Sequence, residues 1–204
     1  MLKVLGRANS FNVRKVMWCL AEIGLEVARE DYGRDYAAVD TPEFKALNPN
    51  SRVPVLIDGD VVLWESNTIV RYLCARYGEK SLLGADPASR AGIEMWMDWQ
   101  LANIPGPQRV VMDAQVIAPG SVEPAALRTA FARFNALMTI LDAALAGPFL
   151  KGDTLTAADF VLGPVVHRWF ALDVPRPDLA RVTRYRDALA ERPAYRDHVA
   201  IGSP

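Results

Sequence analysis

The segment between residues 6 and 16 combines residue types that could do chemistry, because a short apolar run ends there and an amphipathic run begins. Ser10 supplies a hydroxyl, and Asn9 and Asn12 supply amides. A helix that starts here presents free backbone N–H groups and a partial positive charge. This combination suits an anion. Ser10 and Asn12 are also residue types that cap helices, so capping alone is the alternative interpretation.

The elements on either side must hold this segment in place. The run 2–5 is short and apolar and predicts a strand. After the segment, apolar residues recur with a period near 3.6, which predicts an amphipathic helix. They are Val13, Val16, Met17, Leu20 and Ile23. The extended run 27–32 follows Gly24 and predicts a second strand. These three elements form a βαβ unit with a parallel strand pair.

The next part of the chain predicts a short helix, a hairpin and a longer helix. Thr41 and Pro42 are typical of a helix start, and the helix ends before Pro49. Residues 53–57 and 61–64 read as two strands joined by an Asp-Gly turn. Pro54 has no N–H for the ladder, so it belongs at an edge or in a special turn where a cis bond is possible. A helix then continues from residues 65–67 to the glycine at position 78.

The remainder of the sequence predicts a helical domain. A stretch without periodicity ends at Pro87 and contains glycine and proline, which marks a linker. Amphipathic runs follow at 88–116 with an interruption at 105–107, at 124–146, from Thr156 onward with Pro164 inside, and at 179–189. The predicted fold class is α/β plus all-α, with an α/β domain over 1–80, a linker over 81–87 and an all-helical domain over 88–204.

Composition narrows the classes of partner. The chain has 204 residues, is 51% hydrophobic and 23% charged, and carries a formal net charge of −1 with acidic and basic residues interspersed. This pattern is typical of a globular protein and shows no basic footprint for nucleic acid or a membrane surface. No leader pattern or apolar run approaching 18 residues is visible. We therefore expect a cytoplasmic protein with neither nucleic acid nor membrane as a partner.

Cysteine and histidine usage argues against a metal enzyme. Cys19 and Cys74 each lie in an amphipathic run, so buried free thiols are the expected state. His167 and His198 are isolated in the sequence, and no closely spaced ligand cluster exists. We expect no metal.

Three motifs together resemble those of the glutathione S-transferase family. They are Asn-Pro-Asn-Ser-Arg-Val-Pro-Val-Leu (48–56), Leu-Trp-Glu-Ser-Asn-Thr-Ile-Val-Arg-Tyr-Leu (63–73) and Gly-Asp-Thr-Leu-Thr-Ala-Ala-Asp (152–159). The resemblance covers essentially the whole chain. The opening Gly-Arg-x-Asn-Ser-x-Asn-Val-x-Lys-Val is similar to the bacterial theta-like branch. The resemblance implies a thioredoxin-like N-terminal domain followed by a helical C-terminal domain of the transferase type.

The resemblance also implies a site for glutathione as co-substrate. Val53, before a cis Pro54, would pair its backbone with the cysteinyl unit of glutathione like an added strand. Glu65 and Ser66 would hold the γ-glutamyl ammonium and carboxylate. An ordinary edge-strand proline and a plain N-cap at Ser66 are the structural alternatives.

The glycyl carboxylate of glutathione needs a cation. Arg52 and Lys45 are the nearest basic residues to the proline turn. Asn9 completes the predicted binding set as a polar residue of the first loop. The Thr156–Asp159 motif resembles a helix-capping element whose role is structural.

In the theta-like branch a serine at the end of the first loop activates glutathione, and Ser10 falls on that position. A hydroxyl that donates to sulfur, together with the helix start, could lower the thiol pKa by about two units, or about 2.7 kcal/mol. The thiolate would then displace halide or add to an activated double bond. Ser10 and Asn12 lie two positions apart, which is the spacing of a pair that some bacterial relatives use. Both residues are therefore catalytic candidates.

Five alternatives to a general transferase stay open. They are a glutathione-dependent disulfide reductase, a dehalogenase, an isomerase, a lyase, and a non-catalytic binding protein. The resemblance implies a homodimer and a pocket for a small electrophile between the loop 8–11 and the first long helix of the second domain. The candidate lining residues are Trp96, Trp99, Arg109, Met112 and Trp169.

Overall fold

The computed structural model describes residues 1–202. Its strands are β1 (Leu2–Leu5), β2 (Ala28–Glu30), β3 (Val55–Asp58) and β4 (Val61–Trp64). Its helices are α1 (Phe11–Ile23), α2 (Pro42–Leu47), α3 (Ser66–Arg76), α4 (Pro87–Asn103), α5 (Pro105–Met112), α6 (Pro124–Ala144), α7 (Ala157–Ala171), α8 (Ala180–Ala190) and α9 (Pro193–His198). A 3₁₀ turn at Lys80–Leu82 precedes α4, and a π-helical segment at Asp113–Ile117 follows α5.

The four strands form one mixed sheet in the order β2-β1-β3-β4. β1 pairs in parallel with β2, as the βαβ pattern predicts, and antiparallel with β3. β3 and β4 form the predicted hairpin, with Val55 opposite Trp64. β3 begins at Val55 rather than at residue 53, because Pro54 cannot donate a hydrogen bond to the ladder. The Val53–Pro54 peptide bond is cis.

The helical part follows the sequence pattern except for one missed helix. The predicted interruption at 105–107 falls between α4 and α5, since Pro105 opens α5. Pro164 does not end α7, which runs from Ala157 to Ala171. The sequence pattern missed α9, a helix of six residues with Pro193 at its first position. A helix this short offers too few turns for a periodic signal.

One hydrophobic core joins the sheet domain to the helices. The indole of Trp18 on α1 meets the ring of Phe160 on α7 edge-on at 4.8 Å and that of Tyr195 on α9 at 5.0 Å. Gly163 permits this contact, because a Cβ there would lie 2.7 Å from the Trp18 ring. The shared core therefore holds α1, which follows the first loop, against α7.

The two cysteines are buried and free, as expected. Their sulfur atoms lie 3.8 Å apart, because α1 packs against α3. Burial raises the pKa of the Cys19 thiol. Within the described residues no helix is long and apolar enough to cross a membrane.

Candidate functional site

A cavity of about 1080 Å³ lies between the sheet domain and the helical domain. The loop after β1, the segment after β2, the turn before β3 and the residue before α3 form one side. The other side comes from α4, α5, the π-helical segment, α7 and the end of the described chain. The polar and charged residues of the lining are Arg7, Asn9, Ser10, Asn12, Lys15, Arg34, Ser51, Arg52, Glu65, Gln100, Gln108, Arg109 and Arg168.

Ser10 occupies the N-cap position of α1, but its side chain makes no capping hydrogen bond. The residue is 7% exposed and lines the cavity. Its backbone is fixed by a hydrogen bond from its N–H to the Arg7 carbonyl, at 3.1 Å. The hydroxyl is therefore free to donate into the cavity, and the capping interpretation of Ser10 is wrong.

Asn9 and Asn12 accompany Ser10 at the same cavity, and both side chains are exposed. Gly6 lets the loop approach α1, because a Cβ at this position would lie 2.5 Å from a methyl group of Val13. The loop and the first turn of α1 thus bring together the three polar residues that the sequence analysis selected.

The turn before β3 contributes Arg52 and Val53 to the lining. The Asn48 amide donates to the Arg52 carbonyl at 2.7 Å and fixes this turn. Pro54 is buried behind the surface and is not among the lining residues. Lys45 is exposed on α2 and is also outside the lining, so Arg52 is the better placed of the two cations.

Glu65 lines the cavity from the N-cap position of α3. Its φ of 71° lies in the left-handed region, and this backbone conformation costs a non-glycine residue free energy. Glu65 thus stands at the N-terminus of α3. Ser66 is therefore the first helical residue, so its assignment as the N-cap is wrong. Ser66 is 3% exposed. It follows the lining residue Glu65 in the chain but is not itself among the lining residues.

Lys15 is a buried cation that the sequence analysis did not select. Its ammonium donates to the Asn67 amide oxygen at 3.1 Å and to the Gln100 amide oxygen at 3.0 Å. These bonds join α1, α3 and α4 beside the cavity. Burial, and then the charge of Arg168, lower the pKa of Lys15 to about 7.

Arg168 is the second buried cation that the sequence analysis missed. It is 8% exposed on α7, and its guanidinium carbon lies 4.4 Å from the centre of the Phe11 ring. Burial lowers the pKa of Arg168 to about 9, with smaller contributions from Arg14 and Arg34. The signal in the sequence was a single arginine within the apolar run of α7.

The structure divides the five candidates for the electrophile pocket. Arg109 and Met112 line the cavity, and Arg109 is ion-paired with Asp113 at 2.6 Å. The three tryptophans were wrong predictions, because they pack against the core or each other instead. Trp169 is 1% exposed, and the rings of Trp96 and Trp99 meet edge-on at 5.0 Å.

Comparisons with known proteins agree across the chain. The family model "Glutathione S-transferase, N-terminal domain" matches residues 1–75, and "Glutathione S-transferase, C-terminal domain" matches residues 124–200. The chain is 38% identical to glutathione S-transferase GstB of Escherichia coli, over 98% of this chain and 99% of that protein. It is 31% identical to glutathione S-transferase 3 of Zea mays, over 98% and 93% of the respective chains.

A solved structure extends this similarity to three dimensions. The theta class glutathione S-transferase from the citrus canker pathogen Xanthomonas axonopodis pv. citri, with glutathione bound, superposes with a TM-score of 0.93. The two chains share 38% identity, with 100% of this chain and 99% of that chain covered. Both halves of the fold, the cavity between them and these relatives lead to one conclusion: the chain belongs to the glutathione S-transferase family.

Proposed function

We propose that the protein is a glutathione transferase that binds glutathione in the cavity and activates its thiol through Ser10. The observation that carries this proposal is the Ser10 hydroxyl, which lines the cavity at the start of α1 and is not consumed by capping the helix. A hydroxyl in this place can donate to a sulfur anion, and the helix dipole favours the same charge. Asn12 is the second candidate donor.

Glutathione would lie along the sheet-domain side of the cavity. Glu65 would accept from the γ-glutamyl ammonium, while the Ser66 hydroxyl and the first N–H groups of α3 would hold the carboxylate. The Val53 backbone would pair with the cysteinyl unit, and Arg52 would bind the glycyl carboxylate. Asn9 would contact the peptide from the first loop. Arg52, Val53 and Glu65 line the same cavity as Ser10, which supports this assignment.

The reaction needs the thiolate of glutathione. A free thiol with a pKa of about 8.5 is only slightly ionised at neutral pH. Lowering this pKa by about two units makes the thiolate the major form at pH 7. The thiol proton leaves to water, the sulfur lone pair forms a C–S bond with the electrophilic carbon, and halide departs with the electron pair of the broken bond. The chemical role we propose is detoxification of small electrophiles.

Steady-state kinetics of single variants tests the role of Ser10. Ser10→Ala is expected to lower kcat for a halo-dinitrobenzene by at least about tenfold while the KM for glutathione stays within a few-fold. Ser121→Ala is the matched control, because it makes the same change in an exposed loop. An unchanged kcat in Ser10→Ala, with a large loss in Asn12→Ala, would transfer the role to Asn12.

The domain assignment is part of the same proposal. A glutathione-binding domain over residues 1–80, a linker over 81–87 and a helical domain over 88–204 fit a cavity lined from both sides. A cytoplasmic location is also proposed. The free sulfhydryls of Cys19 and Cys74, 3.8 Å apart, support a reducing compartment.

We further propose a homodimer that buries the outer surfaces of β4 and α4. β4 is an edge strand of the sheet, and Val61, Val62 and Trp64 on it are each more than a third exposed. Met95 on α4 is 58% exposed. Exposed apolar groups on an edge strand and a neighbouring helix are typical of an association surface.

A further inference from the structure

The cavity carries more positive charge than glutathione can neutralise. Its basic lining residues are Arg7, Lys15, Arg34, Arg52, Arg109 and Arg168, and Glu65 is its acidic lining residue. Glutathione in its thiolate form has a net charge of only about −2 at neutral pH. Arg109 is balanced by Asp113, and Arg52 is assigned to the glycyl carboxylate. Arg7, Lys15, Arg34 and Arg168 therefore remain as basic residues of the cavity without an assigned anion.

Arg168 is the most buried of these cations after Lys15, whose ammonium donates to two amide oxygens. It is 8% exposed, and its guanidinium makes no ion pair or hydrogen bond with any residue in the range 1–202. After burial, the charges of Arg14 and Arg34 lower its pKa, and both are positive. Burying an unpaired cation costs free energy that a bound anion would recover.

The surroundings of Arg168 define where that anion would lie. The guanidinium stacks over the ring of Phe11, 4.4 Å from its centre, and Phe11 directly follows Ser10 in the chain. A ligand that reaches Arg168 therefore lies next to the residue that activates sulfur.

We infer that the electrophile of this enzyme carries a carboxylate, and that Arg168 is the residue that selects it. This inference rests on the proposed transferase function. The planar guanidinium matches a carboxylate through two parallel N–H···O bonds, which a neutral electrophile cannot accept with equal strength. Because Arg168 lies over the Phe11 ring and Phe11 directly follows Ser10, a carboxylate bound here would bring the electrophilic carbon close to the thiolate at Ser10. The reaction itself is unchanged: sulfur bonds to carbon, and the leaving group departs with its electron pair.

A matched pair of substrates tests the inference. 4-Chloro-3,5-dinitrobenzoate and its methyl ester react at the same carbon with loss of the same chloride. Each kcat/KM is divided by the uncatalysed rate constant with glutathione, which removes the difference in intrinsic reactivity. We expect the wild-type protein to favour the carboxylate by at least about tenfold, because hydrogen bonds to charged groups contribute about 1.5–3 kcal/mol.

The variant Arg168→Met keeps an unbranched side chain and removes the charged guanidinium. It should lower the normalised kcat/KM for the carboxylate by about 10- to 150-fold, which corresponds to the same hydrogen-bond range, and change that for the ester by less than about threefold. Arg168→Lys should restore part of the preference. Arg128→Met is the matched control, because Arg128 is exposed on α6 outside the lining. Equal losses for the two substrates in Arg168→Met would overturn the inference.

A binding measurement on the wild-type protein does not depend on whether the variants fold. The two preformed glutathione conjugates, carboxylate and ester, are titrated calorimetrically. Tighter binding of the carboxylate conjugate by at least about tenfold supports the inference, and equal affinities refute it. Turnover of both substrates without preference defeats this inference alone. A wild-type protein that neither binds glutathione nor turns over either substrate defeats the proposed function, and the inference falls with it.

Discussion

At the level of single residues, two side chains have a hydrogen-bonding group or a charge that the local structure does not satisfy. Ser10 stands at a helix start without capping it, and Arg168 is buried without a counter-charge among the described residues. Serine at such a position usually caps, and arginine is rarely buried without a partner. Both residues line the same cavity. A ligand that supplies a sulfur anion and a carboxylate would satisfy both.

Ser66→Ala is predicted to weaken glutathione binding. The hydroxyl lies at the first position of α3, next to Glu65, where it would bind the γ-glutamyl carboxylate. Losing one hydrogen bond to a charged group costs about 1.5–3 kcal/mol, so Kd should rise by about 10- to 150-fold. Fluorescence or calorimetric titration measures this directly. Ser121→Ala should bind like the wild-type protein, and an unaltered Kd in Ser66→Ala would remove this residue from the site.

His167 is predicted to make the protein sensitive to acid. Burial, and then the charges of Arg14 and Arg168, lower its pKa to about 4 in the folded state. Between pH 6.5 and 4 the unfolded state therefore binds a proton that the folded state does not. The free energy of unfolding then falls as the pH falls through this window.

The variant His167→Gln isolates this contribution. From pH 7 to pH 5 the wild-type protein should lose more free energy of unfolding than His167→Gln does, as measured by urea denaturation at both pH values. Parallel losses in the two proteins would show that this histidine titrates normally.

At the scale of elements, the start of α7 is the best defined structural device. Asp159 accepts hydrogen bonds from the N–H groups of Thr156 and Leu150 and from the hydroxyls of Thr156 and Tyr185, at 2.7–3.0 Å. Its carboxylate therefore joins α7 to the preceding turn and to α8. Desolvation raises the pKa of Asp159, and these hydrogen bonds act in the opposite direction.

Asp159→Ala is predicted to destabilise the fold strongly. It leaves four buried donors without an acceptor, which should cost at least about 3 kcal/mol in the free energy of unfolding. Chemical denaturation followed by circular dichroism measures the loss. Asp153→Ala removes an exposed carboxylate six residues earlier and should change stability by less than about 0.5 kcal/mol. Similar effects of the two substitutions would contradict a structural role for Asp159.

The elements were largely predictable from the sequence, because the apolar periods of α1, α3 and α6 and the Asp-Gly turn are local signals. The buried cations were not. Lys15 and Arg168 look like surface residues by type, and only the packing of α1 and α7 against other helices takes them out of water. The three tryptophans show the opposite error, since aromatic side chains at helical spacing pack inward more often than they line a ligand site.

At the scale of the whole molecule, the cavity exists because two domains share one core. The first loop, which lines the cavity, leads directly into α1, and Trp18 on α1 packs in the shared core. Asn67 and Gln100 meet at the ammonium of Lys15, so α3 and α4 are also held together beside the cavity. The site thus depends on the docking of both domains. Contacts between residues that are far apart in the sequence hold each side chain in place.

The proposed homodimer gives a prediction at this scale. Light scattering after gel filtration should give about twice the chain mass of 22.5 kDa for the wild-type protein. Met95→Glu should shift the mass toward the monomer, because it buries a carboxylate in the proposed interface. Ile140→Glu makes a similar change at an exposed position on α6 and should leave the dimer intact. A monomeric wild-type protein, or equal behaviour of the two variants, would contradict this interface.

Activation of glutathione by Ser10 can be measured through the ultraviolet absorbance of the bound thiolate, recorded against pH. In the wild-type protein we predict a thiol pKa about two units below that of free glutathione, and a return of at least about one unit in Ser10→Ala. Ser121→Ala should titrate like the wild-type protein. A bound thiol whose pKa equals that of free glutathione, or one that is equally low with and without the Ser10 hydroxyl, would contradict activation by Ser10.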